Sequence, residues 1–167
     1  MKLFASMTVL LLAASLLGCK KDDGVSSENA AKATEFKAFV DNKPFQIREY
    51  YSDKPIDYID TDAEVKQETN LWKYVSPWIK DDFNVFNVST GQVAIAQNEI
   101  KIEGNNEAVI LKSCSVSAEK TGVYFNFLNY LYQPLKYRLE EFGSDYFIIS
   151  ADWTGGARVF TKFVVLD

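Results

Sequence analysis

The chain contains no histidine among its 167 residues, and its only cysteines are Cys19 and Cys114. Without histidine, Ser-His-Asp and Cys-His nucleophilic systems are excluded, and so are histidine-ligated zinc and iron sites. Two cysteines do not make a thiolate cage, so no metal and no cofactor is expected. Phosphate loops are missing too. "WTGGAR" has neither the spacing nor the lysine of a Walker loop and lies between two strand-like runs, so it reads as a hairpin turn. Basic excess is also absent: 18 Lys and Arg stand against 23 Asp and Glu, a net charge of −5. The basic residues are interleaved with acids along the whole chain. A nucleic-acid backbone needs them clustered, so no nucleic-acid partner is expected.

One uncharged run stands out. From Leu3 to Leu17 there is no charge, Lys2 precedes it, and "VLLLAASLL" carries its aliphatic bulk. This is the pattern of a secretory signal, shorter than the ~20 apolar residues that cross a bilayer. The run ends in "LLGC", which resembles a bacterial lipobox. That resemblance implies a signal peptide over residues 1–18, cleaved so that Cys19 becomes the first residue and carries a diacylglyceryl thioether. An ordinary signal peptide with a chance cysteine is the alternative. Cleavage takes Lys2 away and leaves 17 basic residues against 23 acidic.

Residues 19–34 then form the lipidated cysteine and a polar tether, "KKDDGVSSENAAKAT", which reads as a flexible linker without apolar periodicity. Asp22 and Asp23, directly after Lys20 and Lys21, resemble the export signal of surface lipoproteins in the Bacteroidetes group. The expected location is the outer membrane, with surface and periplasmic-facing attachment both open. If Cys19 holds lipid, no intrachain disulfide is available and packing alone must hold the fold. Cys114, in the alternating "AVILKSCSVSA", reads as a small buried core residue and not a reactive thiol.

Residues 35–167 are expected to form a single β domain. "EFKAFV" and "PFQIREYY" alternate around an Asp-Asn turn, which predicts a β-hairpin. "DYIDTDAE" loses the alternation, and Asp60 or Thr61 is placed to cap a short helix through Thr69, the only helix expected. The same acids, Asp57, Asp60, Asp62 and Glu64, begin like a calcium loop. Val65 stands where its glycine belongs, and helix capping is the simpler reading. Downstream, "FNVFNV", "QVAIA", "EIKIE", "AVILKSCSV", "VYFNFLNYLY", "LKYRLEEF", "YFIISADW" and "ARVFTKFVVL" read as short strands between turn residues. About eight to ten such strands predict a mainly β, antiparallel up-and-down barrel or a β-sandwich. In "VYFNFLNYLY", Val123, Phe125 and Phe127 point one way and Tyr124, Asn126, Leu128 and Tyr130 the other.

The succession of hairpins, "DDFNVFNVSTGQVAI" early, then "YRLEEFGSDYFIISAD" before a closing "RVFTKFVV", resembles the lipocalin-like domains found behind a Bacteroidetes lipobox. The resemblance implies an up-and-down barrel that takes a small apolar or amphipathic ligand. The lipocalin Gly-x-Trp is not present; "NLWKYVSPW" supplies Trp72 and Trp78 without the glycine. Candidate ligand-binding aromatics are Trp72, Trp78, Tyr124, Tyr130, Tyr132 and Trp153, whose apolar faces and polar tips suit pocket lining or sugar stacking. Glu140, Glu141 and Asp152 are the carboxylates nearest to a glycosidase-like set, although neighbours in a strand face opposite ways, and no enzymatic activity is expected. A filled barrel acting as a protein- or glycan-interaction module is the alternative to the ligand carrier.

Overall fold

A computed structural model describes residues 24–59, 65–100, 109–128 and 134–166. They begin with a helix, α1 (Ser27–Val40), where the sequence reading placed a linker followed by a strand. Helical spacing wins because Ala33, Phe36 and Val40 recur at three and four residues and are all buried, whereas Ala38 is exposed. Ser26 caps the helix by accepting a bond from the Asn29 amide at 3.1 Å, and Glu28 occupies the first turn. The folded unit therefore starts before residue 35, and residues 27–34 are ordered helix, not tether.

The Asp-Asn turn is real, but it joins a helix to a strand. Asn42 takes the left-handed conformation (φ 58°), which asparagine tolerates. Its amide donates to the Phe86 carbonyl at 2.7 Å, while Asp41 Oδ1 accepts from the Val88 amide at 2.8 Å. These bonds tie the end of α1 to the sheet.

Nine antiparallel strands follow: β1 (Pro44–Ile59), β2 (Val65–Asn70), β3 (Phe83–Asn87), β4 (Gln92–Ala96), β5 (Val109–Glu119), β6 (Gly122–Leu128), β7 (Pro134–Phe142), β8 (Tyr146–Asp152) and β9 (Arg158–Val165). From β3 to β9 each pairs with its sequence neighbour. β1 pairs with β9 from Phe45 to Ser52 and with β3 through Pro44↔Val85 and Phe45↔Asn84, so the ladder closes on itself. This favours the up-and-down reading over the sandwich.

The helix expected through Thr69 is not formed at residues 65–69. They belong to β2, which pairs with the far half of β1 from Ile59↔Val65 to Tyr51↔Asn70. Cross-strand bonding overrides the weak helical pattern there. Asp60, Asp62 and Glu64 lie outside the described residues. "EIKIE" is likewise unsupported at its start, where Glu99 and Ile100 form a bend, and its remainder lies outside the described residues.

Alternation inside the ring follows the sequence. Val93, Ile95, Cys114, Val116, Val123, Phe125, Leu139, Phe147, Ile149 and Phe163 build the core. α1 caps one end, inserting Phe36 against Phe125, Phe142 and Phe147 with ring centroids 5.3–5.8 Å apart. Lys32 Nζ donates to the Glu140 carbonyl at 3.1 Å and Asn29 Nδ2 to the Glu119 carbonyl at 2.8 Å, fixing the helix across the rim.

Cys114 is buried, and its Sγ donates to the Gln92 carbonyl at 3.0 Å. Burial pushes the thiol up to about 11, which leaves roughly one molecule in a thousand as thiolate at pH 8. In a Cys19→Ala chain, Cys114 is expected to resist an aromatic disulfide reagent at that pH until denaturant is added. Stoichiometric reaction in native buffer within seconds would contradict this burial.

Candidate functional site

The two ends of the ring are packed differently. Near α1, Phe36, Phe45, Phe86, Phe125 and Phe147 are 0–1% exposed and meet edge to face, a dense arrangement. Farther along, the inward positions hold smaller or polar residues: Asn84, Val93, Ile95, Ile149 and Thr161. Their side chains do not fill the ring. A cavity of about 310 Å³ remains, floored by Phe86, Phe127 and Phe163.

Its wall is completed where the ladder is weakest. Pairing of β1 with β3 stops after Phe45, and residues 71–82 occupy the seam beyond. They form a 3₁₀ turn (Trp72–Tyr74) and a one-turn helix, α2 (Pro77–Asp81), with Pro77 at its start. The Leu71 amide donates to the Tyr50 carbonyl at 3.0 Å, and Gln46 Nε2 donates to the Lys80 carbonyl at 2.6 Å. Held this way, the segment contributes Tyr74, Val75, Ser76, Ile79 and Asp82 to the lining.

Three tyrosines, Tyr50, Tyr74 and Tyr137, take part in an otherwise largely apolar lining, the Tyr74 hydroxyl donating to Glu68 Oε1 at 3.2 Å. Tyr137 stacks on Phe127 with centroids 4.8 Å apart. Burial, and secondarily the neighbouring Tyr50, raises the Tyr137 phenol well above its ordinary range, so it stays neutral and able to donate. An unfolded tyrosine titrates near pH ~10. The native state keeps its proton at higher pH, so this contribution to stability is complete below pH ~10 and declines above it. Denaturation measured from pH 9 to 11 is expected to show a shallower decline for Tyr137→Phe than for the parent chain; equal slopes would contradict the buried phenol.

The aromatics singled out from the sequence are not assembled at this cavity. Trp72 and Trp78 are half-buried on the segment that walls it, but neither belongs to the lining, and Lys80 Nζ sits 5.1 Å from the Trp72 ring. Tyr124 faces outward on β6, its hydroxyl 2.8 Å from that of Thr121 and its ring beneath Lys136. Trp153 is 45% exposed in the β8–β9 turn. Tyr130 and Tyr132 lie outside the described residues. The lining tyrosines were detectable only in part: Tyr137 shares the inward face of β7 with buried Leu139, a period-two signal.

The carboxylates do not converge in a cleft. Glu140 binds Arg158 and accepts from the Ser150 hydroxyl at 2.5 Å on the outer wall, while Glu141 accepts from the Tyr146 hydroxyl at 3.2 Å. Asp152 is open to solvent, 3.8 Å from Arg158 Nε. Asp57 accepts from Gln67 on the exposed side of β1 and β2. Among the described residues no cluster of three metal-ligating side chains occurs, and no helix is long and apolar enough to cross a membrane. No protein-family model and no curated protein matches this chain, so the cavity itself carries the functional argument.

Proposed function

We propose that the protein is a lipid-anchored, non-enzymatic cell-envelope protein that binds a small apolar or amphipathic molecule inside its β ring. The carrying observation is the cavity of about 310 Å³, apolar over most of its lining, with Ser76, Thr161 and three tyrosines among its walls. That volume lies at the lower end of the ~300–1,000 Å³ typical of small-molecule sites. A ring serving only as an outer interaction surface gains nothing from a hollow interior. Packing to native density would stabilise it further, which favours the carrier over the filled-barrel alternative. The anchor rests on "LLGC", with Cys19 as the acylated residue, and outer-membrane attachment rests on the resemblance of the following "KKDD" to a surface-lipoprotein export signal.

An apolar fluorescent probe such as N-phenyl-1-naphthylamine tests the site. Thr161, 9% exposed on β9, lines the cavity. Thr161→Phe fills that space and is expected to weaken probe binding at least tenfold, with the circular dichroism of the fold retained. Val93→Phe, on β4, serves as a second filling variant. Undiminished binding in both folded variants would overturn the proposal.

A further inference from the structure

Two ionisable side chains stand at or beside the cavity, and neither is unanswered. Asp82 belongs to the lining, and Lys112 is buried on β5 directly opposite the lining residue Val93, on the same inward side of the ladder. They are of opposite sign, and each has an interaction of its own. The polar groups left for a guest are neutral. Ser76, Asn84, Tyr137 and Thr161 line the cavity, and among the described residues their side chains make no hydrogen bond. Tyr50 and Tyr74, by contrast, are engaged.

Two of the uncommitted hydroxyls share one wall. Thr161 on β9 stands opposite Ile149 on β8, which stands opposite Leu139 on β7, and Tyr137 is the next residue of β7 on that inward side. Tyr50, the register partner of Thr161 on β1, is close enough to weigh on the Tyr137 phenol. Stacking on Phe127 holds the Tyr137 ring in place, and its retained proton makes the phenol a donor. A hydroxyl left unpaired in a poorly solvated space costs free energy, and a ligand oxygen that accepts from it removes that cost. A carbonyl oxygen has two lone pairs, enough for both hydroxyls. A carboxylate or an ammonium group would lose its hydration and find no uncommitted opposite charge among the described lining residues, a heavier loss.

Resting on the small-ligand reading above, we propose that the cavity selects uncharged amphiphiles bearing a carbonyl oxygen, with the Tyr137 and Thr161 hydroxyls as its hydrogen-bond donors. The apolar part of the ligand lies against Phe86, Phe127 and Phe163.

Four probes built on one phenylpropyl skeleton separate the possibilities: propylbenzene, propiophenone, 3-phenylpropanoate and 3-phenylpropylamine, titrated calorimetrically into the purified full chain at pH 7. The ketone is expected to bind at least tenfold tighter than either charged probe. Tyr137→Phe and Thr161→Val each remove one hydroxyl with little change of shape. Each is expected to weaken the ketone at least fivefold more than the hydrocarbon, which isolates the bond to the carbonyl from general packing. A charged probe that binds as well as the ketone, or equal losses for ketone and hydrocarbon in both variants, overturns the carbonyl proposal and leaves the cavity reading standing. Failure of all four probes overturns the cavity reading and this inference with it. The unmodified chain alone supplies the comparison with the charged probes, so the test stands even if a variant does not fold.

Discussion

Phe36→Ala is expected to lower the unfolding free energy by about 3–5 kcal/mol, the usual range for truncating a buried phenylalanine. Phe36 is fully buried, and its ring meets Phe39, Phe125, Phe142 and Phe147. The strands around it are fixed by their ladders, so the space left behind has little room to collapse. For a chain of this size the loss corresponds to roughly 6–20 °C in melting temperature. If residues 27–40 did not pack against the end of the ring, the same substitution would change stability by less than about 0.5 kcal/mol. Thermal unfolding followed by near-ultraviolet circular dichroism separates the two outcomes, and exposed Ala38→Ser in the same helix serves as the control.

The second large effect concerns attachment. Cys19→Ala removes the thiol that the lipobox reading acylates, and the chain is then expected to leave the detergent phase completely on phase partitioning. The reason is quantitative. Buried acyl carbons contribute about 0.8 kcal/mol each, so two or three chains hold a protein on a bilayer, and their loss releases it. Metabolic labelling with a tagged fatty acid should mark the parent chain and not the variant. Labelling or membrane attachment that survives in Cys19→Ala would refute the anchor.

How much of this was legible in the residues follows from where the physical signal is local. β4 and β8 could be read almost to the residue because "QVAIA" and "YFIISAD" alternate between turn residues, and period two survives folding. α1 could not. Phe36, Ala38 and Val40 fit a two-residue period, while Ala33, Phe36 and Val40 fit a helical one, and the burial of Ala33 with the exposure of Ala38 decides between them. β2 was obscured for a related reason: "VKQETN" is polar after Val65, and its strand character comes from pairing to β1.

The cavity lay further from view. Its apolar floor belongs to strands that were recognised, but its volume is a difference between the space the ring encloses and the side chains that enter it. Tyr50 and Tyr74 line it because a bulged β1 and the seam segment turn them inward, which no local pattern announces. The tryptophans attracted notice by residue type alone, whereas the occupants of the wall are set by register. Asp82 shows the same point. In "IKDDFNV" it is one of two adjacent acids; Asp81 remains near the surface, accepting from the Ile100 amide at 2.7 Å, while Asp82 turns into the interior.

Native mass spectrometry of the chain isolated from the membranes of its own cells tests the central claim most directly. The account predicts a second species heavier than the lipidated chain by one small molecule. Gentle activation should release it, and Thr161→Phe should abolish it. A single species at the lipidated mass, unchanged by activation and identical in Thr161→Phe, would contradict the claim that the cavity is a ligand site.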